Sequence, residues 1–291
     1  MDQLLEAPLP VTRLSFRLPD TVRLAWVSDE VRALREPMLG KLKRMWAELE
    51  VRTVTAGLRR CALRQITAED FEALAADSKQ SGLKAETLRI EQRSGLPGSA
   101  AMLLQVAVGK KRDVRELKAA WVRGDYDAIG DLLGYPTCCR AFYRRIFIEE
   151  RLSDPVWAMA QSSQFARRNT DSITISGPPL LNLLLRSIGV RAVPHFPCSI
   201  DCPDSVAFAN RWMSLARSLG FADEAAQIEE MLAWPVEWSA LHGIAEIRTP
   251  IVKITTQTDA TASKLTLRWI AESYPPDGAR GLAFPFKPLQ R

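Results

Sequence analysis

Four of the five cysteines in this 291-residue chain stand in two tight clusters, Gly134-Tyr135-Pro136-Thr137-Cys138-Cys139 and Pro194-His195-Phe196-Pro197-Cys198-Ser199-Ile200-Asp201-Cys202. Each cluster opens a predicted helix. A thiol at the positive end of a helix ionises more readily than an ordinary buried thiol, and the thiolate is the form that ligates metal. Read as one metal or iron–sulfur site, the two clusters commit the fold to joining helix starts that lie far apart in the sequence.

Hydrophobic residues make up 47% of the chain and charged residues 25%, close to the globular average, so neither disorder nor a fibrous fold is expected. The length is enough for a large core. The expected class is α+β, helix-rich with a mixed β-sheet and with cysteine clusters at two helix N-termini. Two closely packed parts are expected: a helix-rich N-terminal region, 1–95, and an α+β part bearing the cysteines, 96–291. Ser94-Gly95-Leu96-Pro97-Gly98-Ser99 marks the division, because two glycines and a proline among small residues favour a turn or linker.

Residues 1–10 carry acids and prolines where a secretory signal would carry a basic start and an apolar run. The most apolar piece, 178–185, is interrupted by Asn182 and falls well short of the ~20 residues that span a bilayer. These features point to the cytoplasm, where clustered cysteines bind metal or react more often than they form disulfides. The net charge of +5 is spread over arginines that alternate with acids, so no nucleic-acid partner is expected despite short basic knots at Arg59-Arg60, Lys110-Lys111-Arg112, Arg144-Arg145 and Arg167-Arg168.

Apolar periodicity predicts helices over 31–49 and 114–122, and alternation predicts a strand over 60–66. Thr67-Ala68-Glu69-Asp70 resembles a cap for a helix running to Ala76, and 101–108 is a continuous apolar run suited to a buried strand. Pro178-Pro179 is expected to begin an apolar helix ending at Gly189, followed by a short strand at 190–193. Helices follow over 203–219 and 222–233, then strands over 246–256 and 264–270. The proline-rich stretch 274–288 reads as loop.

In the first cluster, Pro136 suits a first helical position, since its missing N–H would be unpaired there. Cys139 then shares an inward face with Phe142, Tyr143 and Ile146. Neighbouring helical side chains diverge by about 100°, so one of Cys138 and Cys139 is expected to be the ligand, with Cys139 favoured. Cys202 sits near the N-cap of a helix that starts at Pro203. Cys198 lies four residues upstream in a loop stiffened by Pro194 and Pro197, and His195 adds an imidazole to it.

The expected site is a [4Fe–4S] cluster on Cys139, Cys198 and Cys202, with Cys138 or His195 as fourth ligand and one iron open to substrate. A closed zinc site on the same residues is the alternative. His195, His242 and Glu237 are the candidates for proton transfer. The function expected is iron–sulfur-dependent catalysis on a small polar metabolite or biosynthetic intermediate, by elimination or by sulfur transfer, with an electron- or sulfur-donor protein as a candidate partner. Two other classes compete with it: a non-catalytic zinc-stapled binding protein and a thiol redox protein. Cys61, away from both clusters, reads as structural.

The chain lacks the glycine-rich nucleotide motifs, the Gly-x-Ser-x-Gly elbow and the C-x₃-C-x₂-C triplet of radical S-adenosylmethionine enzymes. Gly124-Asp125-Tyr126 followed by Leu133-Gly134-Tyr135-Pro136-Thr137-Cys138-Cys139 and an aromatic helix resembles a prokaryotic family of unknown function marked by a Leu-Gly-Tyr-Pro-x-Cys-Cys signature, over residues 101–255. The resemblance implies a prokaryotic origin and a shared cysteine core; it carries no activity.

Overall fold

The computed structural model describes residues 22–92, 102–259, 263–270, 273 and 275. A short strand, β1 (Arg23–Trp26), leads into the long helix α1 (Asp29–Thr55). Ser28 caps α1 by accepting the Val31 N–H at 3.2 Å. Val31, Leu39, Leu42, Met45, Trp46 and Leu49 recur at helical spacing and form its buried stripe.

The chain then builds a small antiparallel sheet from β2 (Cys61–Thr67), β3 (Lys84–Gln92) and β4 (Met102–Gly109), with α2 (Phe71–Gln80) between the first two strands. The spatial order is β2-β4-β3, so β4 is the central strand. One face meets Val51 and Val54 of α1. The other meets Val114, Leu117 and Ala120 of α3 (Lys111–Arg123), which closes at Gly124 in the left-handed region. Next come α4 (Tyr126–Leu132) and α5 (Thr137–Tyr143), the latter continuing into a π-helical turn over Arg144–Glu149.

The larger core lies under a mixed seven-stranded sheet, which receives β1 from the start of the described chain. After α6 (Val156–Gln161) come β5 (Ala166–Arg168) and β6 (Ser172–Ile175), then α7 (Pro203–Ser218) and α8 (Ala222–Leu232). The remaining strands are β7 (Val236–Leu241), β8 (Ile244–Arg248), β9 (Val252–Gln257) and β10 (Leu265–Trp269). The order is β1-β9-β8-β7-β10-β6-β5, antiparallel throughout except for the parallel pair β10 and β6. Helices α1, α7 and α8 pack together, with Trp46 and Trp212 at the α1–α7 contact, ring centroids 5.0 Å apart. The fold is α+β, as expected. No helix among the described residues is long and apolar enough to cross a membrane.

The expected division at 95/96 falls between β3 and β4, which pair in one sheet. Other sequence expectations are corrected. The residues of the expected linker, 94–99, and most of the stretch 274–288 lie outside the described residues. The helix expected after Pro178 is two 3₁₀ pieces, Pro179–Leu181 and Leu183–Ile188, ending at Gly189 with φ +86°. Asn182 divides them because its side chain accepts the Leu184 N–H at 3.2 Å and donates to Leu232 O at 2.9 Å, competing with regular helical bonding. Among the described residues, 190–193 pair with no strand. The strand expected over 246–256 is two, β8 and β9, because Thr249 Oγ1 accepts the Ile251 and Val252 N–H groups and Pro250 has none to offer a ladder.

Asn182 is 1% exposed and supplies two bonds at the junction of the 3₁₀ pieces with α8. Asn182→Ala leaves a buried carbonyl and a buried N–H unpaired, for an expected loss of about 1–3 kcal/mol in urea denaturation.

Candidate metal centre

The first cysteine cluster is placed by a left-handed turn. Gly134 has φ +72°, and a Cβ there would stand 3.0 Å from Arg59 Cβ and 3.4 Å from Leu58 O, so glycine lets the chain pass close to the segment after α1. Arg59 is itself held: it is ion-paired with Glu50, donates to Thr53 Oγ1 at 2.8 Å, and lies over the Trp212 ring. Pro136 is the N-cap of α5 and Thr137 its first residue, one position later than the sequence suggests.

The second cluster is a loop anchored from both sides. Ile200 N–H donates to Ser163 Oγ at 2.9 Å, and Asp201 accepts the Phe165 N–H at 3.1 Å. Asp201, an acid beside the cysteines in sequence, thus binds backbone. Cys202 is the N-cap of α7, with Pro203 at the first helical position.

These two placements bring four sulfurs together. The Sγ atoms of Cys138, Cys139, Cys198 and Cys202 lie within 4.8 Å of one another. Cys138 and Cys139 are 3.8 Å apart, Cys138 and Cys202 3.7 Å, and Cys139 and Cys202 3.8 Å. Cys139 and Cys202 are each 2% exposed, while Cys138 and Cys198 are partly buried. Both sulfurs of the adjacent pair, and not Cys139 alone, lie among the four that converge. Both occupy the first turn of α5, where Cα–Cβ bonds tilt towards the N-terminus, so both sulfurs reach a point ahead of the helix despite their angular separation.

Cys139 receives further contacts. Cys198 N–H donates to its sulfur at 3.3 Å, and Ser205 Oγ lies 3.2 Å from it. Ser205 Oγ is also 2.9 Å from His195 Nε2. The imidazole therefore reaches the cysteines through a hydroxyl, and Cys138 stands as the fourth close donor. His195 packs against both Tyr135 and Phe208, each with its ring centroid 5.0 Å away. Burial holds its pKa down at about 4, so it is neutral near pH 7.

The other two candidates stand elsewhere. His242 is exposed at the two-residue turn between β7 and β8, with φ +50°, and Gly243 follows with φ +80°. That geometry suits a tight hairpin. Glu237, on β7, accepts from Arg268 Nε at 3.0 Å across the β7–β10 pair. Neither is among the groups that converge on the sulfurs. Cys61 is fully buried in the small core, which pushes its thiol up to about 12.

Ser205 and Tyr135 were not singled out by the sequence, yet one touches both Cys139 and His195 and the other stacks on His195. The available signal was position. Ser205 is the third residue of α7, where a short polar side chain folds back towards the N-cap, here Cys202. Comparison of the chain with protein-family models, with curated proteins and with solved structures finds no match.

Electrostatics decide what such a cluster tolerates. Burial, then repulsion from Cys198 and Cys202, pushes the Cys138 thiol up to about 12. Cys139 is pushed up by donating to Cys198 and Cys202 and by burial, whereas Cys202, accepting from both Cys139 and Cys198, is held down. A metal-free cluster therefore keeps most of its protons at pH 7, and a cation that takes the thiolates must displace them. Metal affinity should rise with pH through the neutral range, up to about tenfold per pH unit for each proton released. Competition titrations against a chelator at pH 6.5 and 8, with proton release read in weak buffer, measure this; a flat profile would mean that the thiols are already ionised.

Proposed function

We propose that this chain is a metal-binding protein whose Cys138, Cys139, Cys198 and Cys202 together hold one ion, with zinc as the best fit. The observation that carries the reading is the 3.7–3.8 Å spacing among the sulfurs of Cys138, Cys139 and Cys202, with Cys198 Sγ within 4.8 Å of each. Four thiolates bound at about 2.3 Å to one tetrahedral zinc stand about 3.8 Å apart. A [4Fe–4S] cubane places its own irons and sulfides among its thiolates and needs them much more widely spread, so the spacing favours a mononuclear ion over the iron–sulfur cluster.

A four-thiolate shell is closed, leaving no position for substrate or water, and closed shells are the hallmark of structural sites. The role proposed is a staple joining the start of α5 to the loop before α7. The N–H and hydroxyl groups near Cys139 support the same reading, since they offset the charge of a bound thiolate. Elimination or sulfur transfer at an open iron has no such geometric support.

Protein produced in zinc-supplemented medium should carry one zinc per chain, remain colourless and hold no acid-labile sulfide, as read by elemental analysis and sulfide assay. Cobalt substitution should give the intense thiolate-to-metal absorption of a tetrahedral sulfur shell. A brown protein with several irons and matching sulfide would overturn the proposal. Cys138→Ser and Cys139→Ser should each weaken zinc binding by more than tenfold in competition titrations. Loss in Cys139→Ser alone would mean that Cys138 stands outside the shell.

A further inference from the structure

The four sulfurs are not equally sheltered. Cys139 and Cys202 are each 2% exposed, whereas Cys138 and Cys198 are only partly buried, Cys138 being the more open of the two. Cys139 is further screened by the Cys198 N–H and the Ser205 hydroxyl, at 3.3 and 3.2 Å, from which a bound thiolate accepts. A staple gains nothing from an open ligand. An open thiolate is a nucleophile, however, and a cation that binds a thiol keeps it deprotonated at neutral pH.

Cys138 also has a second sulfur within reach. Its Sγ lies 3.7 Å from that of Cys202 and 3.8 Å from that of Cys139. A disulfide brings two sulfurs to about 2.05 Å, so less than about 2 Å of approach is needed. Cys202 is the better partner. Adjacent Cα atoms stand about 3.8 Å apart, below the roughly 4.4–6.8 Å that disulfides span, so a bond between Cys138 and Cys139 is strained. Cys202, 64 residues along the chain, is free of that restriction. Charge narrows the oxidant. Four thiolates on a divalent ion leave a net negative charge, and the Asp204 carboxylate lies 3.6 Å from the Cys138 sulfur, so an uncharged oxidant is favoured over an anionic one.

We propose, resting on the metal-binding reading above, that Cys138 is an oxidation site for hydroperoxides, at which the metal staple is exchanged for a Cys138–Cys202 disulfide. The Cys138 thiolate attacks the peroxide: an S–O bond forms as the O–O bond breaks, giving a sulfenic acid and hydroxide, or an alkoxide from an alkyl hydroperoxide. The Cys202 thiolate then attacks the Cys138 sulfur, forming the S–S bond and expelling a hydroxide. The cysteine pair has lost two electrons and the peroxide has gained them. Cys139 and Cys198 remain as the only thiolates of the shell, too few for a closed zinc site, so the ion is released. The disulfide still joins the start of α5 to the start of α7, so the fold survives the exchange, and a dithiol reductant with zinc reverses it.

The test uses the zinc-loaded chain and hydrogen peroxide. Peroxide should release one zinc per chain, read with a chromogenic chelator, while the intact mass falls by the two hydrogens of one disulfide. Peptide mapping should find Cys138 joined to Cys202, with the fully buried Cys61 still a free thiol. The oxidised chain should keep a cooperative melting transition, and dithiothreitol with fresh zinc should restore the loaded form. In Cys202→Ser at saturating zinc the sulfenic acid loses its partner, so dimedone should label Cys138 about tenfold more than in the unaltered protein.

A disulfide that omits Cys138, zinc retained under excess peroxide, or a dimedone adduct on Cys198 in place of Cys138 would overturn the oxidation site. The first two are read on the unaltered protein, so the result does not depend on how well the variant folds. If the purified chain loads no zinc, the metal reading falls by itself. A Cys138–Cys202 disulfide formed by peroxide in that metal-free chain still supports the oxidation site, and its absence overturns it.

Discussion

Four thiols gathered at one point, two of them almost wholly buried, cannot all ionise without a cation, and cannot all find donors without one another. This is the constraint around which the middle of the chain is arranged. Cys139 and Cys202 are almost wholly buried, and each lies at a helix start that offers free N–H groups. The metal-free arrangement resolves the conflict by keeping protons on Cys138 and Cys139 while Cys202 collects their hydrogen bonds. A bound metal ion would resolve it differently, replacing several S–H groups by metal–sulfur bonds, with Ser205 and the Cys198 N–H bonding to the sulfurs from outside.

The convergence of sulfurs depends in turn on α1, which serves both clusters as a template. The end of α1 holds Arg59 through Glu50 and Thr53, and Gly134 slides against Arg59 to deliver Tyr135 and α5. The middle of α1 packs on α7 through Trp46 and Trp212, setting Cys202 at the start of that helix. Arg59 also lies over Trp212, so one guanidinium touches the supports of both halves. Two cysteine pairs more than fifty residues apart thereby share one rigid reference.

Where the chain obeys local rules, its structure is legible in the sequence. The periodic runs that became α1, α3, α7 and α8 and the apolar run that became β4 lie where their patterns put them, because burial of one face decides each. The cysteine clusters were legible too, since small residue sets with such chemistry rarely gather by chance. What failed was decided by side chains or by partners distant in sequence. Thr249 splits β8 from β9 with its own hydroxyl, and Asn182 splits the helix after Pro178 with its amide. The pattern of β3 and β4 cannot disclose that they are neighbours. His242 looked functional for its rarity beside tryptophans, but its backbone forms a hairpin turn. Ser205 looked ordinary because its importance lies in two contacts made across the fold.

The place of β10 in the large sheet bears on how the chain is made. It sits between β7 and β6, pairing antiparallel with the first and parallel with the second. Until residue 269 has left the ribosome, β6 and β7 have no strand to bridge them, and the sheet exists as two unconnected pieces. The small sheet, complete by residue 109, needs nothing later in sequence for its strand pairing. Synthesis therefore delivers an early-folding unit and, only after residue 269, a keystone strand, so β6, and later β7, must wait with an unpaired edge that nascent-chain chaperones are suited to cover.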